Sequence, residues 1–187
     1  YNITKLLKVT KMDKLKKIVE KGNFYAKEKI LKKKVIPKKI IEALYLQNLW
    51  GINALIGKHL STPIEILEKP SLDKVSQIKA AVASNPKTPQ DILEKLSLEN
   101  DMQIKINLAH NPNTSNETLS KLYDENINEV FFIKRGITLN PNASSVLLAK
   151  ISKEDNFELL YNVANHINTP LHVLIELYNI EDNKFKK

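Results

Sequence analysis

Apolar positions recur along the chain with a short helical spacing nested inside a much longer one. In "QDILEKL" the residues Ile92, Leu93 and Leu96 fall on one side of a helix, and in "QIKAAVASNP" Ile78, Val82 and Ala83 do the same. Both segments return. Leu15, Ile41, Leu67, Leu93, Leu119, Leu148 and Leu174 follow one another at steps of 26 residues, with one step of 29. Three residues after each come Ile18, Leu44, Pro70, Leu96, Leu122, Ile151 and Leu177. The other segment gives Ile104, Leu108 and Ala109, then Ile133, Ile137 and Thr138, then Leu159, Val163 and Ala164. Its last position is always small, which predicts close approach of a neighbouring helix.

Polar punctuation separates the segments. Thr62-Pro63 and Thr88-Pro89 precede a first helix. The Thr is expected as an N-cap whose hydroxyl accepts from a free first-turn N–H, and the Pro as the first helical residue. Glu65 and Glu117, three residues beyond Thr62 and Thr114, complete two expected capping boxes. Asn85, Asn111 and Asn140, each followed by Pro, are predicted to stop the second helix in the left-handed conformation. The 29-residue step places three extra residues in "DENINEVFF", between Leu122 and Ile133, as a longer loop between helices. The first two units lack the Thr-Pro signal and carry Thr10-Lys11 and Ile36-Pro37 instead, as worn end units do.

Helices of about ten residues are unstable alone in water, and each of these exposes an apolar stripe that only a neighbour can cover. The expected architecture is therefore all-α. It is an α-solenoid, a right-handed superhelix of about seven two-helix repeats of 26 residues, forming a single domain over 1–187. Degenerate Lys-rich repeats fill 1–57, clear repeats 58–178, and a polar, frayed tail 179–187.

The order Ile78-Lys79, Val82-Ala83, Asn85-Pro86, Thr88-Pro89 resembles the leucine-rich repeat variant family of bacterial proteins, as does Ile104-Lys105, Leu108-Ala109, Asn111-Pro112; Ile133-Lys134 and Asn140-Pro141 match more loosely. The resemblance covers residues 58–178, and the N-terminal third by register alone. It implies an α-helical superhelix of the HEAT and armadillo-like kind and almost no activity. Lys stands where the family has Arg, and the units are long. The iron–sulfur segment of one member needs cysteines, which this chain lacks.

Composition narrows the picture. With 42% apolar residues the 187-residue chain can bury a core, and four glycines are few for a fold of tight hairpins. The absence of Cys excludes disulfides and thiol chemistry. No run of 18 apolar residues occurs, so no membrane span is expected. The chain opens on Tyr1 rather than Met, as a trimmed fragment does, and a cytoplasmic location is expected. Charge is asymmetric: residues 1–40 hold 14 Lys against Asp13, Glu20 and Glu28, a net of +11, while the whole chain nets +8. A Lys-, Asn- and Ile-rich mix also arises from AT-rich coding, which leaves the asymmetry as the informative part.

Two sets of basic residues are candidate binding sites. Lys79, Lys105 and Lys134 occupy one repeat position, with Arg135 beside the last. They read either as a ladder for phosphates or carboxylates, or as packed stems whose charges reach an acidic residue of the preceding loop such as Asp73 or Asp101. Lys32, Lys33 and Lys34 belong to the densest cluster, "EKILKKKVIPKK", which reads as a phosphate-attracting face or as a solvated one. His59 and His166 stand at the Asn85 position and are expected as helix-end residues; no metal site or cofactor is expected. Trp50 and Phe157 share one repeat position with Met102 and Phe131 and are read as ridge packing between units. No Gly-rich phosphate loop or catalytic pair stands out, so an enzyme is not expected. The reading is a scaffold that holds a protein or peptide on a curved surface, with Gln77, Ala81, Asn107, Gly136 and Asn162 as variable exposed residues. The alternative is nucleic-acid binding through the lysines.

Overall fold

The computed structural model describes residues 3–124 and 130–185. Among these residues the chain is all-helical, with thirteen helices and no strand. It divides into two compact units, Tyr1–Thr88 and Pro89–Lys187. The first holds α1 (Ile3–Lys21), α2 (Phe24–Leu31), α3 (Lys38–Tyr45), α4 (Trp50–Lys58), α5 (Ile64–Ser71) and α6 (Ser76–Ala83). The second holds α7 (Gln90–Leu96), α8 (Met102–His110), α9 (Asn116–Asp124), α10 (Val130–Thr138), α11 (Ser145–Ile151), α12 (Phe157–Asn165) and α13 (Leu171–Phe185).

Most of these helices run seven to nine residues, too short to persist without tertiary contact. Their apolar stripes supply it. In the first unit α4 packs against α2 and α6, while α3 and α5 lie against the same row. In the second, α10 packs against α8 and α12, with α9 and α11 beside it. Ile41, Leu67, Leu93, Leu119 and Leu148 are completely buried, as are Ile52, Ile56, Val82, Leu108, Ile137 and Val163. The small position allows the helices to touch. A Cβ on Gly57 would lie 3.3 Å from Ala81 Cβ, and one on Gly136 would lie 2.7 Å from Ala109 Cβ and 2.7 Å from His110 Nδ1. Gly136 is therefore an inter-helix residue, not the exposed one expected; Ala81, Asn107 and Asn162 are half-buried, and Gln77 is exposed. Gly136→Ala is expected to cost about 1–3 kcal/mol in chemical denaturation, because overpacking outweighs the better helix propensity of Ala.

The corners differ from expectation in two ways. Thr does not cap the following helix. The N-cap residues of α5 and α7 are Pro63 and Pro89, without a side-chain cap bond, so Thr62 and Thr88 sit one residue too early to reach the first turn. Their buried hydroxyls turn back instead: Thr62 Oγ1 donates to Ile56 O at 2.6 Å, Thr88 Oγ1 to Val82 O at 2.6 Å, and Thr114 Oγ1 to Leu108 O at 2.7 Å. The Thr-based capping boxes with Glu65 and Glu117 are accordingly absent. Where Ser replaces Pro, it caps: Ser144 Oγ accepts from Leu147 N and Ser115 Oγ from Thr118 N.

Asn does not stop the second helix by a left-handed turn either. Among the described residues the one non-glycine with positive φ is Asn48, and Asn111 is extended at φ −78°, ψ 121°. The side chain does the work. Asn85 Nδ2 donates to Gly57 O at 2.8 Å and His59 O at 3.2 Å, and Asn140 Nδ2 to Ala109 O at 2.9 Å and Asn111 O at 2.8 Å. The Oδ1 atoms accept from Lys87 N and Asn142 N. Each amide thus ties one corner to the corner before it. His59 and His166 end α4 and α12, as expected. They copy the amide: Nδ1 accepts from Ser61 N or Asn168 N, which leaves Nε2 to donate to Lys33 O at 2.7 Å or Asn140 O at 2.9 Å.

The two ends depart from the pattern. Thr10-Lys11 marks no break, since α1 runs unbroken through it. The tail does not fray before Phe185, because α13 extends that far. The insertion expected within "DENINEVFF" centres on residues 125–129, outside the described residues.

Candidate binding surface

The lysine position of the second helix is a packed one. Lys105 is 8% exposed. Lys134 pairs with Glu154 and lies 5.5 Å over the Tyr123 ring, so its charge is met by the loop after α11 instead of the preceding loop. Lys79 is half-buried. Asp73 and Asp101 serve the backbone, accepting from Val75 N at 2.9 Å and Ile104 N at 3.1 Å. Arg135 pairs with Glu158 on the surface. The 26-residue step also reaches back to Asn53 and Lys27, neither of which the worn first units made visible. Lys27 is buried and donates to Gln47 Oε1. Asn53 is buried with its Oδ1 unpartnered. Since Leu160 occupies the same repeat position, Asn53→Leu is expected to raise stability by about 1 kcal/mol, read as a higher urea midpoint at unchanged slope.

Lys32, Lys33 and Lys34 behave differently. They form the exposed turn after α2, and with Lys58 they surround a shallow hollow of about 290 Å³ floored by Leu31, Leu55 and Leu60. The corner fixes this turn: His59 takes Lys33 O, and Ser61 Oγ donates to Lys34 O at 3.1 Å. Lys32 pairs with Glu28 at 2.9 Å, a bond that holds its ammonium pKa above the usual lysine value. Four ammonium groups around an apolar floor attract a partner carrying carboxylates or phosphates.

The aromatic position is not uniformly packed between units: Met102 and Phe131 are half-buried, whereas Trp50 and Phe157 depart from the expected ridge packing. Trp50 is 66% and Phe157 77% exposed, and Phe157 stacks on Tyr161 at 6.4 Å between centroids. Phe24 stands one repeat before Trp50 and covers Gly51, whose added Cβ would meet its ring at 2.9 Å. Among the described residues no three of His, Cys, Asp and Glu converge as metal ligands, and no helix is long and apolar enough to cross a membrane.

No family model, curated protein or solved structure matches the chain.

Proposed function

We propose that the chain is a non-enzymatic repeat scaffold that binds a protein or peptide. In this reading it is an α-solenoid of about seven helix pairs, of the leucine-rich repeat variant kind that its Asn-Pro and Thr-Pro corners resemble. The observation that carries it is a contrast within the repeat. The corner bonds of Asn85 and Asn140, and of Thr62, Thr88 and Thr114, recur unchanged. The start of the second helix is Trp50-Gly51, Ser76-Gln77, Met102-Gln103 or Phe157-Glu158, of which Trp50, Gln77, Gln103, Phe157 and Glu158 are exposed. A constant frame with changing exposed side chains suits recognition better than structure alone requires. The exposed large aromatics, Trp50, Phe157 and Tyr161, are the residue types that anchor protein interfaces.

The immobilised 187-residue chain is expected to retain a protein at one-to-one stoichiometry, and Trp50→Ala or Phe157→Ala to weaken that retention at least tenfold while leaving melting unchanged. Retention insensitive to both substitutions rejects the reading. The lysine hollow favours a second reading, in which the partner is nucleic acid. That reading requires a complex with duplex or single-stranded nucleic acid whose affinity collapses between about 50 and 200 mM salt, and Lys33→Glu with Lys34→Glu must abolish it.

A further inference from the structure

In the first unit, the turn after α2 and the end of α4 set cations around an apolar surface. Leu31, Leu55 and Leu60 floor the hollow of about 290 Å³, and Leu60 is 54% exposed. Lys32, Lys33, Lys34 and Lys58 rim it, and no acidic side chain lines it among the described residues. Glu28 answers Lys32, at 2.9 Å. Lys33, Lys34 and Lys58 have no ion pair among the described residues. Lys134 and Lys153 differ, since Glu154 and Glu176 meet their ammonium groups. Helices α2 and α4 both end at the hollow, and their carboxyl ends offset only about half a charge each. A positive excess therefore remains.

The site is ordered by bonds that a ligand does not need. Lys33 N donates to Ile30 O at 3.0 Å, His59 Nε2 to Lys33 O at 2.7 Å, and Ser61 Oγ to Lys34 O at 3.1 Å. All three fix the main chain of the turn and leave the Lys33 and Lys34 ammonium groups in solvent. A turn that is already ordered lowers the entropic cost of binding. The lysines alone suit a polypeptide or a nucleic acid. The floor separates the two. A phosphodiester strand would engage the ammonium groups and leave the leucines in water, and no aromatic ring lines the hollow for a base to stack on. An apolar patch with a polar rim is instead a feature of protein contacts. The lysines offer donors and no acceptor, so the occupant must bring acceptors together with an apolar group.

Resting on the scaffold reading, we infer that this hollow takes an acidic segment of the partner polypeptide, with one apolar side chain on the leucine floor and Asp or Glu carboxylates on either side meeting Lys33, Lys34 and Lys58. The floor supplies the contact that depends on side-chain size, and the rim rejects basic or neutral segments by leaving its charges unanswered.

The test titrates an acetylated, amidated pentapeptide, with Leu at its centre and two Glu on each side, into the 187-residue chain and follows the methyl NMR signals of Leu31, Leu55 and Leu60. Saturable shifts at these methyls are expected. Replacing every Glu of the peptide by Gln, or its Leu by Gly, is expected to weaken binding at least tenfold. Lys33→Ala with Lys34→Ala, both at exposed positions, is expected to do the same with unchanged melting, and Lys33→Arg with Lys34→Arg to retain binding. The inference is overturned by absence of binding, by equal binding of the Gln or Gly peptide, or by indifference to the double Ala substitution. Tighter binding of a thymidine oligonucleotide of equal charge also overturns it, since the occupant is then nucleic acid. So does self-association in sedimentation that the double Ala substitution abolishes, since the occupant is then a second copy. A protein whose retention falls with Trp50→Ala and not with the double Ala substitution removes this inference while leaving the scaffold reading in place.

Discussion

Leu93→Ala is expected to destabilise the second unit by about 2–5 kcal/mol, read as a lower urea midpoint with an unchanged slope. Leu93 is fully buried, and its truncation removes apolar contact while leaving a void that short helices fixed at both corners cannot close. The same substitution at Leu174, the same repeat position but partly exposed, is expected to cost less than about 1 kcal/mol. The pair is an internal control. Equal effects at the two positions would mean that the 26-residue register does not report burial. The loss at Leu93 is a large share of the roughly 5–15 kcal/mol that holds an ordinary domain together, so loss of cooperative melting in that variant is an acceptable form of the same result.

The apolar frame was legible because burial constrains it at every turn of the repeat. A position that faces its neighbours must be apolar whichever unit it occupies, so Ile78, Val82 and Ala83 or Ile104, Leu108 and Ala109 announce themselves by spacing. The corners were not legible in detail, for a physical reason. Thr before Pro satisfies the local preferences of an N-cap, but its partner is chosen by where the preceding helix ends, and Val82 O lies within reach of Thr88. Asn before Pro satisfies the preferences of a left-handed stop, but its amide is claimed by carbonyls 26 to 31 residues away. No local rule contains that partner. Two signals did point to it: the same Asn recurred at one register position, and His replaced it twice. Those two side chains share one acceptor and one N–H donor in similar places.

The surface was legible in composition and illegible in placement. Lys105, Lys134 and Lys33 look alike in the sequence. One is buried, one is tied to Glu154 and Tyr123, and one borders an open hollow. The long aliphatic stem allows all three outcomes, and the neighbouring helix decides among them. Trp50 and Phe157 were misread for the opposite reason. Large apolar residues at a fixed register position imply a core, whereas here they lie at the exposed start of the second helix.

Asn140→Asp should be the most damaging single-atom change in the second unit, costing about 3–5 kcal/mol near neutral pH. Asn140 is 1% exposed. Its Nδ2 donates to two carbonyls at 2.8–2.9 Å, and its Oδ1 accepts from Asn142 N at 3.0 Å. A carboxylate keeps the acceptor but replaces the donor with an oxygen aimed at two carbonyl oxygens, in a site water does not reach. The acid form is less harmful, since its O–H restores one of the two donor bonds. Burial and the facing carbonyls hold the introduced carboxyl above the ordinary carboxylate range. With its folded pKa raised above the unfolded value, the penalty relative to wild type is full above that raised pKa and shrinks as pH falls through it. Asn140→His, by contrast, reproduces the arrangement found at His166 and is expected to cost less than half as much. Thermal melts of the three proteins at pH 5 and pH 8 decide the matter. A pH-independent loss in Asn140→Asp, or a loss in Asn140→His as large as in Asn140→Asp, would show that the site rejects volume or shape and that the donor count is irrelevant.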